Sequence, residues 1–155
     1  MRGRAEMKSS SGVMDIVLRL LVAGALAIDA VVHLQLASYY QTAVPAGIGQ
    51  GNLFRIEATV AILVGLYLLL RGSRPAYAAA VLAAGGGVLV VLLYRYVNVP
   101  AFGPFPAMYE PVWYFQKSLS AVAEAAGAIL ALIGFVWPRR RVRKPHPRSA
   151  PATRG

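Results

Sequence analysis

Residues Ala78–Leu93 have the sequence AAAVLAAGGGVLVVLL, which contains no charged or polar side chain. The stretch Ile62–Leu70, ILVGLYLLL, is also apolar on every side of a helix. A surface helix of a soluble protein carries a polar stripe, whereas a helix that is apolar all round lies in a large core or in lipid. Because a chain of 155 residues is too short to build such a core, these stretches predict helices that cross a membrane.

The composition of the whole chain supports this interpretation. Hydrophobic residues make up 57% of the chain and charged residues 14%, whereas about a quarter of a typical soluble domain is charged. Such a high apolar content excludes a disordered chain or a basic nucleic-acid-binding arm. The absence of cysteine excludes disulfide scaffolds, cysteine-ligated zinc and catalytic thiols.

Four segments reach the length of about 20 apolar residues that a bilayer requires. We therefore predict an all-α fold, a four-helix transmembrane bundle. The first apolar run is longer than the core of a signal peptide, so we expect it to remain as the first span. The predicted membrane domain covers residues 15–137, with spans at 15–38, 52–71, 76–97 and 112–137; an N-terminal segment (1–14) precedes it and a disordered, arginine-rich tail (138–155) follows it.

The placement of charge predicts the orientation in the membrane. The chain has 16 Lys and Arg against 6 Asp and Glu, a formal net charge of +10. Basic residues concentrate in the N-terminal segment, in the connection Arg71–Arg74 and in the tail, whereas the connections Tyr39–Gly51 and Asn98–Pro111 contain none. Because Lys and Arg favour the cytoplasmic side, we expect both termini in the cytoplasm and the chain in a bacterial plasma membrane.

Ionisable side chains inside a span are costly, and each one marks a candidate site. Asp29 and His33 are four residues apart, so they share a face of the first helix and can form a hydrogen bond. Glu110, Lys117 and Glu124 are seven residues apart, which predicts one stripe on the fourth helix. We expect this stripe to face the interior, with Lys117 paired to Glu124 or to Asp29.

The second helix adds one acidic residue to this set. Arg55 and Glu57 cannot both face the interior, and we expect Glu57 inside because the long side chain of Arg55 reaches the membrane interface. In the predicted topology, ionisable groups from all four helices therefore meet at the outer end of the bundle. The predicted polar pocket consists of Asp29, His33, Glu57, Arg95, Lys117 and Glu124.

Aromatic residues are concentrated at the same end of the chain's predicted bundle. An interfacial belt of Tyr and Trp explains part of this distribution. The excess on one side also favours an apolar cleft with a few convergent polar groups, the usual form of a ligand site. The candidate wall residues are Tyr40, Tyr94, Trp113 and Tyr114.

Two interpretations of the polar groups remain open at this stage. They form a pocket for a small molecule, an ion or a lipid headgroup, or they form interhelical salt bridges that fix the packing. Motifs for nucleotide binding, zinc proteases and serine hydrolases are absent. We therefore predict no catalytic residue, no metal site and no cofactor, with a bound quinone as the alternative. Haem ligation between helices normally needs two histidines, and His33 is the one histidine in the spans.

The basic tail suits a membrane surface. Each Lys or Arg near an anionic lipid surface contributes about 1 kcal/mol of attraction. We expect no nucleic-acid partner for a tail that adjoins a membrane span. The expected partners are the lipid bilayer, anionic lipids at the tail, and either another membrane protein or further copies of this chain.

Several short motifs carry a resemblance to a known family. They are Leu18-Arg19-Leu20-Leu21 in the first helix, Glu57 before the run that ends in Leu70-Arg71, Phe102-Gly103-Pro104, and Glu124 in the fourth helix. In these features, over about residues 16–135, the chain resembles the DoxX-like family and related four-helix membrane proteins of actinobacteria. The resemblance implies an accessory role in membrane redox or oxidative-stress complexes. His33 stands where that family would be expected to have lysine.

These observations favour a multi-pass membrane protein that serves as an accessory or scaffolding subunit of a membrane complex, without catalysis of its own. Two alternatives remain. One is a small transporter or ion-coupled carrier, which would need a dimer or larger assembly because four helices barely enclose a pathway. The other is a redox-linked module whose pocket holds a quinone or a lipid.

Overall fold

The computed structural model describes residues 2–41 and 48–137, with side chains from residue 12 onward. This part of the chain is helical and contains no strand. Each helix contains a segment long and apolar enough to cross a membrane, which confirms the predicted four-helix transmembrane fold. The helices are α1 (Arg2–Tyr39), α2 (Gln50–Arg71), α3 (Arg74–Tyr96) and α4 (Phe115–Val136).

The helix boundaries differ from the predicted spans at two places. α1 begins at Arg2 and runs through the predicted N-terminal segment (1–14), which contains no proline to interrupt it. α4 begins at Phe115 rather than near residue 112, because the chain stays extended up to Tyr114 (φ −126°, ψ 167°). The predicted disordered tail (138–155) lies outside the described residues.

A two-residue turn, Gly72-Ser73, connects α2 to α3. Gly72 has φ +49°, a left-handed conformation that ends a helix without a Cβ penalty, and its N–H donates to the carbonyl of Leu68 at 2.8 Å. The hydroxyl of Ser73 accepts the N–H of Ala76 and caps α3. Pro75 follows in the first turn, where a missing N–H costs nothing. The turn makes α2 and α3 antiparallel neighbours.

The four helices form a ring in the order α1–α2–α3–α4, so each helix packs against two others. The contact between α2 and α3 is the least extensive of the four. We call the end of the bundle that carries the Gly72-Ser73 turn the turn end. We call the opposite end, where the α1–α2 and α3–α4 connections lie, the loop end.

Small residues let the helices approach closely from the centre of the bundle to the turn end. A Cβ on Gly127 of α4 would lie 3.3 Å from Cβ of Ala25 and 3.6 Å from Cβ of Ala84, so α1, α3 and α4 meet at this glycine. Close approach through small residues is typical of membrane helices, which gain no hydrophobic driving force from lipid. The larger side chains of this core are Leu18, Val22, Leu26, Leu68 and Tyr77.

A polar cluster closes the turn end. The guanidinium of Arg19 pairs with the carboxylate of Asp15 one turn earlier on α1. The hydroxyl of Tyr77 donates to Asp15 Oδ1 at 3.2 Å and links α3 to α1. Two glycines leave the required space, since a Cβ on Gly72 would overlap the Arg19 guanidinium and a Cβ on Gly134 would overlap the ring of Tyr77.

The connection between α3 and α4 folds as a small hairpin at the loop end. Backbone hydrogen bonds hold this hairpin to the end of α3, where the N–H of Glu110 donates to the carbonyl of Tyr94 at 2.9 Å. The hairpin therefore covers the loop end of the bundle interior. Its own antiparallel bridges join Val99 to Met108 and Phe102 to Phe105.

Replacing Gly134 with alanine should destabilise the bundle, because the added methyl group must displace the buried ring of Tyr77. Overpacking of this kind costs about 1–3 kcal/mol. The measurement is the thermal unfolding midpoint in detergent. Gly85→Ala is the matched control, since a Cβ at Gly85 meets no atom within 4 Å. Equal midpoints for the two variants would contradict the described packing.

Candidate functional site

The loop-end half of the bundle contains a cavity of about 330 Å³. Residues of all four helices and of the hairpin line it. An apolar cavity of about 300–1,000 Å³ with a few convergent polar groups is the usual form of a small-molecule site. The side chains that matter most for its chemistry are His33, Glu57, Lys117, Ser120 and Glu124, and its apolar walls include Leu36, Leu53, Val90 and Val91.

Asp29 and His33 lie on one face of α1 at the base of this cavity. The imidazole Nδ1 is 2.8 Å from Asp29 Oδ1 and 3.1 Å from the Asp29 carbonyl oxygen. Both residues are buried, with 1% and 7% of their surface exposed. The ring of Phe54 on α2 lies 5.5 Å from the imidazole. The structure thus contains the Asp29–His33 hydrogen bond that the four-residue spacing predicts.

Ser120 brings the acidic groups of two helices together. Its hydroxyl oxygen, on α4, lies 2.7 Å from Asp29 Oδ1 on α1 and 3.1 Å from Glu124 Oε1. A hydroxyl has one hydrogen, so it donates to one of these carboxylates at a time. Glu124 is 1% exposed, and its second oxygen, Oε2, has no hydrogen-bond partner among the described residues.

Gly87 on α3 provides the space that Glu124 occupies. A Cβ at this position would lie 2.7 Å from both Cδ and Oε1 of Glu124, which is closer than any relaxed contact. Gly87 is buried and also lines the cavity. The glycine is therefore the point at which α3 allows a carboxylate to enter the centre of the bundle.

The predicted ion pair of Lys117 with Glu124 or Asp29 is wrong. The Lys117 ammonium instead donates to the backbone carbonyl of Glu110 and lies 5.5 Å from the centre of the Trp113 ring. Glu110 precedes α4 rather than lying on it, so its carbonyl has no helical partner and accepts the ammonium. The predicted stripe on α4 accordingly begins at Lys117.

Arg95 does not neutralise the buried acids either. Its guanidinium lies 5.0 Å from the centre of the Tyr96 ring, in a cation–π arrangement. No Lys or Arg of the described chain lies within salt-bridge distance of Asp29, Glu57 or Glu124. The acidic groups at the base of the cavity therefore have an imidazole, a hydroxyl and, for Asp29 and Glu124, each other as polar neighbours.

Aromatic side chains surround the loop-end part of the cavity. The hydroxyl of Tyr40 donates to Glu110 Oε2 at 3.3 Å, and its ring lies 5.4 Å from that of Phe54. Burial, together with the neighbouring phenol of Tyr40, raises the pKa of Tyr114 above its ordinary value. Tyr114 therefore stays protonated and is hydrogen-bonded to Tyr40, and both phenols belong to the cavity wall together with Tyr94.

The structure brings most of the predicted site residues to one place. Asp29 lies behind the lining and reaches it through His33 and Ser120. Arg95 and Trp113 lie outside the lining, and Trp113 is 41% exposed. The predicted residues that line the cavity are His33, Tyr40, Glu57, Tyr94, Tyr114, Lys117 and Glu124.

The sequence analysis missed three residues of this site. Ser120 lies four residues before Glu124 and three after Lys117, so helical spacing alone places all three on one face of α4. Gly87 ends the run Gly85-Gly86-Gly87, which is the signal for a close approach. Phe54 carries no signal of this kind, because one aromatic residue near a helix end is common in membrane proteins.

No family model, curated protein or solved structure matches this chain. The resemblance to the DoxX-like family therefore stays an expectation. Any function has to be inferred from the chemistry and the access of the cavity.

Replacing Ser120 with alanine should lower the thermal unfolding midpoint in detergent. The substitution removes the hydroxyl that bonds Asp29 and Glu124, and a buried acceptor left without its partner costs about 1–3 kcal/mol. Ser118→Ala is the matched control, since Ser118 is on the same helix and its side chain bonds neither carboxylate. A Ser120→Ala midpoint equal to that of the control would show that the hydroxyl is not part of the network.

Proposed function

We propose that this chain is a multi-pass membrane protein whose cavity binds the polar headgroup of a lipid-soluble molecule of the quinone or lipid class. We further propose that it acts as an accessory subunit of a larger membrane complex. One observation carries the proposal: an apolar cavity ends in a buried group of carboxylate, imidazole and hydroxyl side chains. Such a base offers hydrogen bonds to carbonyl and hydroxyl groups on a bound ring or headgroup.

Access from the side of the bundle favours a lipid-soluble ligand. Ile56 of α2 and Val90 of α3 both line the cavity, yet they are 52% and 48% exposed on the outside of the bundle. Ile56 and Val90 belong to the two helices whose mutual contact is the least extensive of the ring. The cavity therefore approaches the lipid-facing surface between α2 and α3, where an acyl or isoprenoid chain would leave the protein.

The size of the cavity agrees with a headgroup rather than a whole lipid. A volume of about 330 Å³ lies at the lower end of the range for small-molecule sites. It suits one ring or one headgroup of similar size, with the tail outside. The phenols of Tyr40 and Tyr114 add polar groups at the loop-end part of the wall.

Salt bridges that only fix helix packing explain the site less well. That interpretation requires basic partners on neighbouring helices for the buried acids. Asp29 instead pairs with His33 on its own helix, and the ammonium of Lys117 turns to a backbone carbonyl. The carrier alternative is also less favoured, because the core residues around Leu68 and Tyr77 fill the turn-end half of a single copy.

The orientation in the membrane is part of the proposal. Most of the basic residues of the sequence lie in the N-terminal segment, in the turn between α2 and α3, and in the tail. The N-terminal segment and the turn belong to the turn end of the antiparallel ring, and α4, which precedes the tail in the sequence, ends there. Because Lys and Arg favour the cytoplasmic side, the turn end faces the cytoplasm of a bacterial plasma membrane and the cavity lies in the outer half of the bilayer.

Gently extracted protein should retain about one quinone or lipid molecule per chain in native mass spectrometry. After delipidation it should bind added menaquinone-4 or ubiquinone-2. Val91→Phe fills the cavity and should reduce ligand retention about tenfold. Leu89→Phe is the control and should leave retention unchanged, because Leu89 is 67% exposed and does not line the cavity. Absence of any retained or added ligand, or equal retention by the two variants, would contradict the proposal.

The orientation can be tested by cysteine labelling, because the chain has no cysteine of its own. Ala101→Cys in the hairpin should react with a membrane-impermeant maleimide in intact spheroplasts. Ser149→Cys in the tail should react after the membrane is permeabilised. The reverse pattern would place the cavity in the cytoplasmic half of the bilayer.

A further inference from the structure

We propose that Asp29, His33 and Glu124 form a binding site for a divalent transition-metal ion at the base of the cavity. The three residues come from two helices, α1 and α4. Each of them offers one ligand atom, and these atoms lie within 4.8 Å of one another. The inference concerns these three side chains and does not depend on the ligand proposed for the cavity.

The distances suit a site that closes around an ion. Zinc binds imidazole nitrogen and carboxylate oxygen at about 2.0–2.2 Å, which places its ligand atoms roughly 3–4 Å apart. The imidazole Nδ1 and Asp29 Oδ1 are already 2.8 Å apart, held by a hydrogen bond that a metal ion would replace. Small side-chain rotations are enough to bring the third ligand, from Glu124, into the same range.

Glu124 gives an independent reason to expect a bound cation. It is 1% exposed, and Oε2 has no hydrogen-bond partner among the described residues. A buried carboxylate oxygen without a donor is costly, and such a group calls for an explanation. The backbone makes room for this carboxylate, since any side chain larger than glycine at Gly87 would collide with it. The fold thus holds an unpaired acidic oxygen at the centre of the bundle.

The balance of charge at the site points to a divalent ion. Two carboxylates and a neutral imidazole carry a charge of −2 when both acids are ionised. The two basic side chains closest to the cavity are engaged elsewhere, Lys117 with the Glu110 carbonyl and Arg95 with the Tyr96 ring. Two hydrogen-bond donors, the Ser120 hydroxyl and His33 Nδ1, serve the two acids. One divalent cation compensates both charges at once.

The type of ligand narrows the identity of the ion. Imidazole with two carboxylates suits zinc, iron(II) or manganese(II), and calcium and magnesium prefer oxygen ligands alone. Because His33 and Glu124 line the cavity, a three-ligand ion would keep an open position on the cavity side. A bound small molecule or water would fill that position.

The test uses the full chain, stripped of metal with a chelator in detergent, in a His146→Ala background that removes the other histidine of the sequence. Zn²⁺ should bind with one ion per chain by calorimetry and by elemental analysis. Removing a residue that only hydrogen-bonds to a metal ligand lowers metal affinity about 10–100-fold. Glu124→Gln and His33→Gln remove ligands themselves, so each should weaken binding about 100-fold or more. Ser118→Ala is the control, because Ser118 lies on the same helix as Glu124 but outside the cavity lining and outside this cluster, and it should leave the affinity unchanged.

A second readout covers the case in which the ligand variants do not fold. Co²⁺ added to the parent protein should give the intense visible bands of a four- or five-coordinate site, and Zn²⁺ should abolish them. Three results would each overturn the proposal: equal zinc affinity in all variants, no stoichiometric binding, or the spectrum of hydrated Co²⁺. A proton shared by Asp29 and Glu124 would then reduce the negative charge of the two acids. Val91→Phe should keep zinc binding while losing the quinone, which separates this result from the test of the cavity ligand.

Discussion

Two carboxylates, those of Asp29 and Glu124, lie inside an apolar bundle, and each is costly there unless polar groups compensate it. Much of the loop-end architecture follows from this constraint. The imidazole of His33 and the hydroxyl of Ser120 lie against the acids because few other partners reach the centre of four helices. α3 carries Gly87 at a point where a Cβ would overlap the Glu124 carboxylate. A cavity of about 330 Å³ rather than a packed core lies above this group.

The bundle therefore divides into two halves that differ in how closely their side chains pack. From the centre to the turn end, alanine, glycine and leucine side chains pack closely, and a polar cluster of the Asp15–Arg19 pair and Tyr77 closes that end. At the loop end, bulky aromatic side chains and the hairpin keep the helices apart and enclose space. The first half supplies stability and fixes the positions of the helices. The second half contains the cavity and is therefore less closely packed.

The fold was predictable because its signal is local: length and hydropathy identify a span without any knowledge of its neighbours. The Asp29–His33 hydrogen bond was predictable for the same reason, as both residues belong to one helix. The contacts of Lys117 were not, because they depend on where α4 begins, and the free carbonyl of Glu110 exists only because that helix starts late. The approach of Glu124 to Asp29 depends on the packing of α4 against α1, which spacing along one chain cannot reveal. The cavity and the geometry of the proposed metal ligands also depend on the packing between helices, so the sequence could not predict them.

The turn Gly72-Ser73 joins α2 to α3 at one end, and no hydrogen bond among the described residues joins these two helices along their length. The two helices are therefore joined covalently at the turn end and held together by apolar contacts towards the loop end. Spreading the helices at the loop end breaks apolar contacts only, and acyl chains of the surrounding lipid replace such contacts at little cost. For a ligand that enters between these helices as proposed, the surrounding acyl chains therefore form one side of the entrance, and the fluidity of the membrane sets how easily it opens.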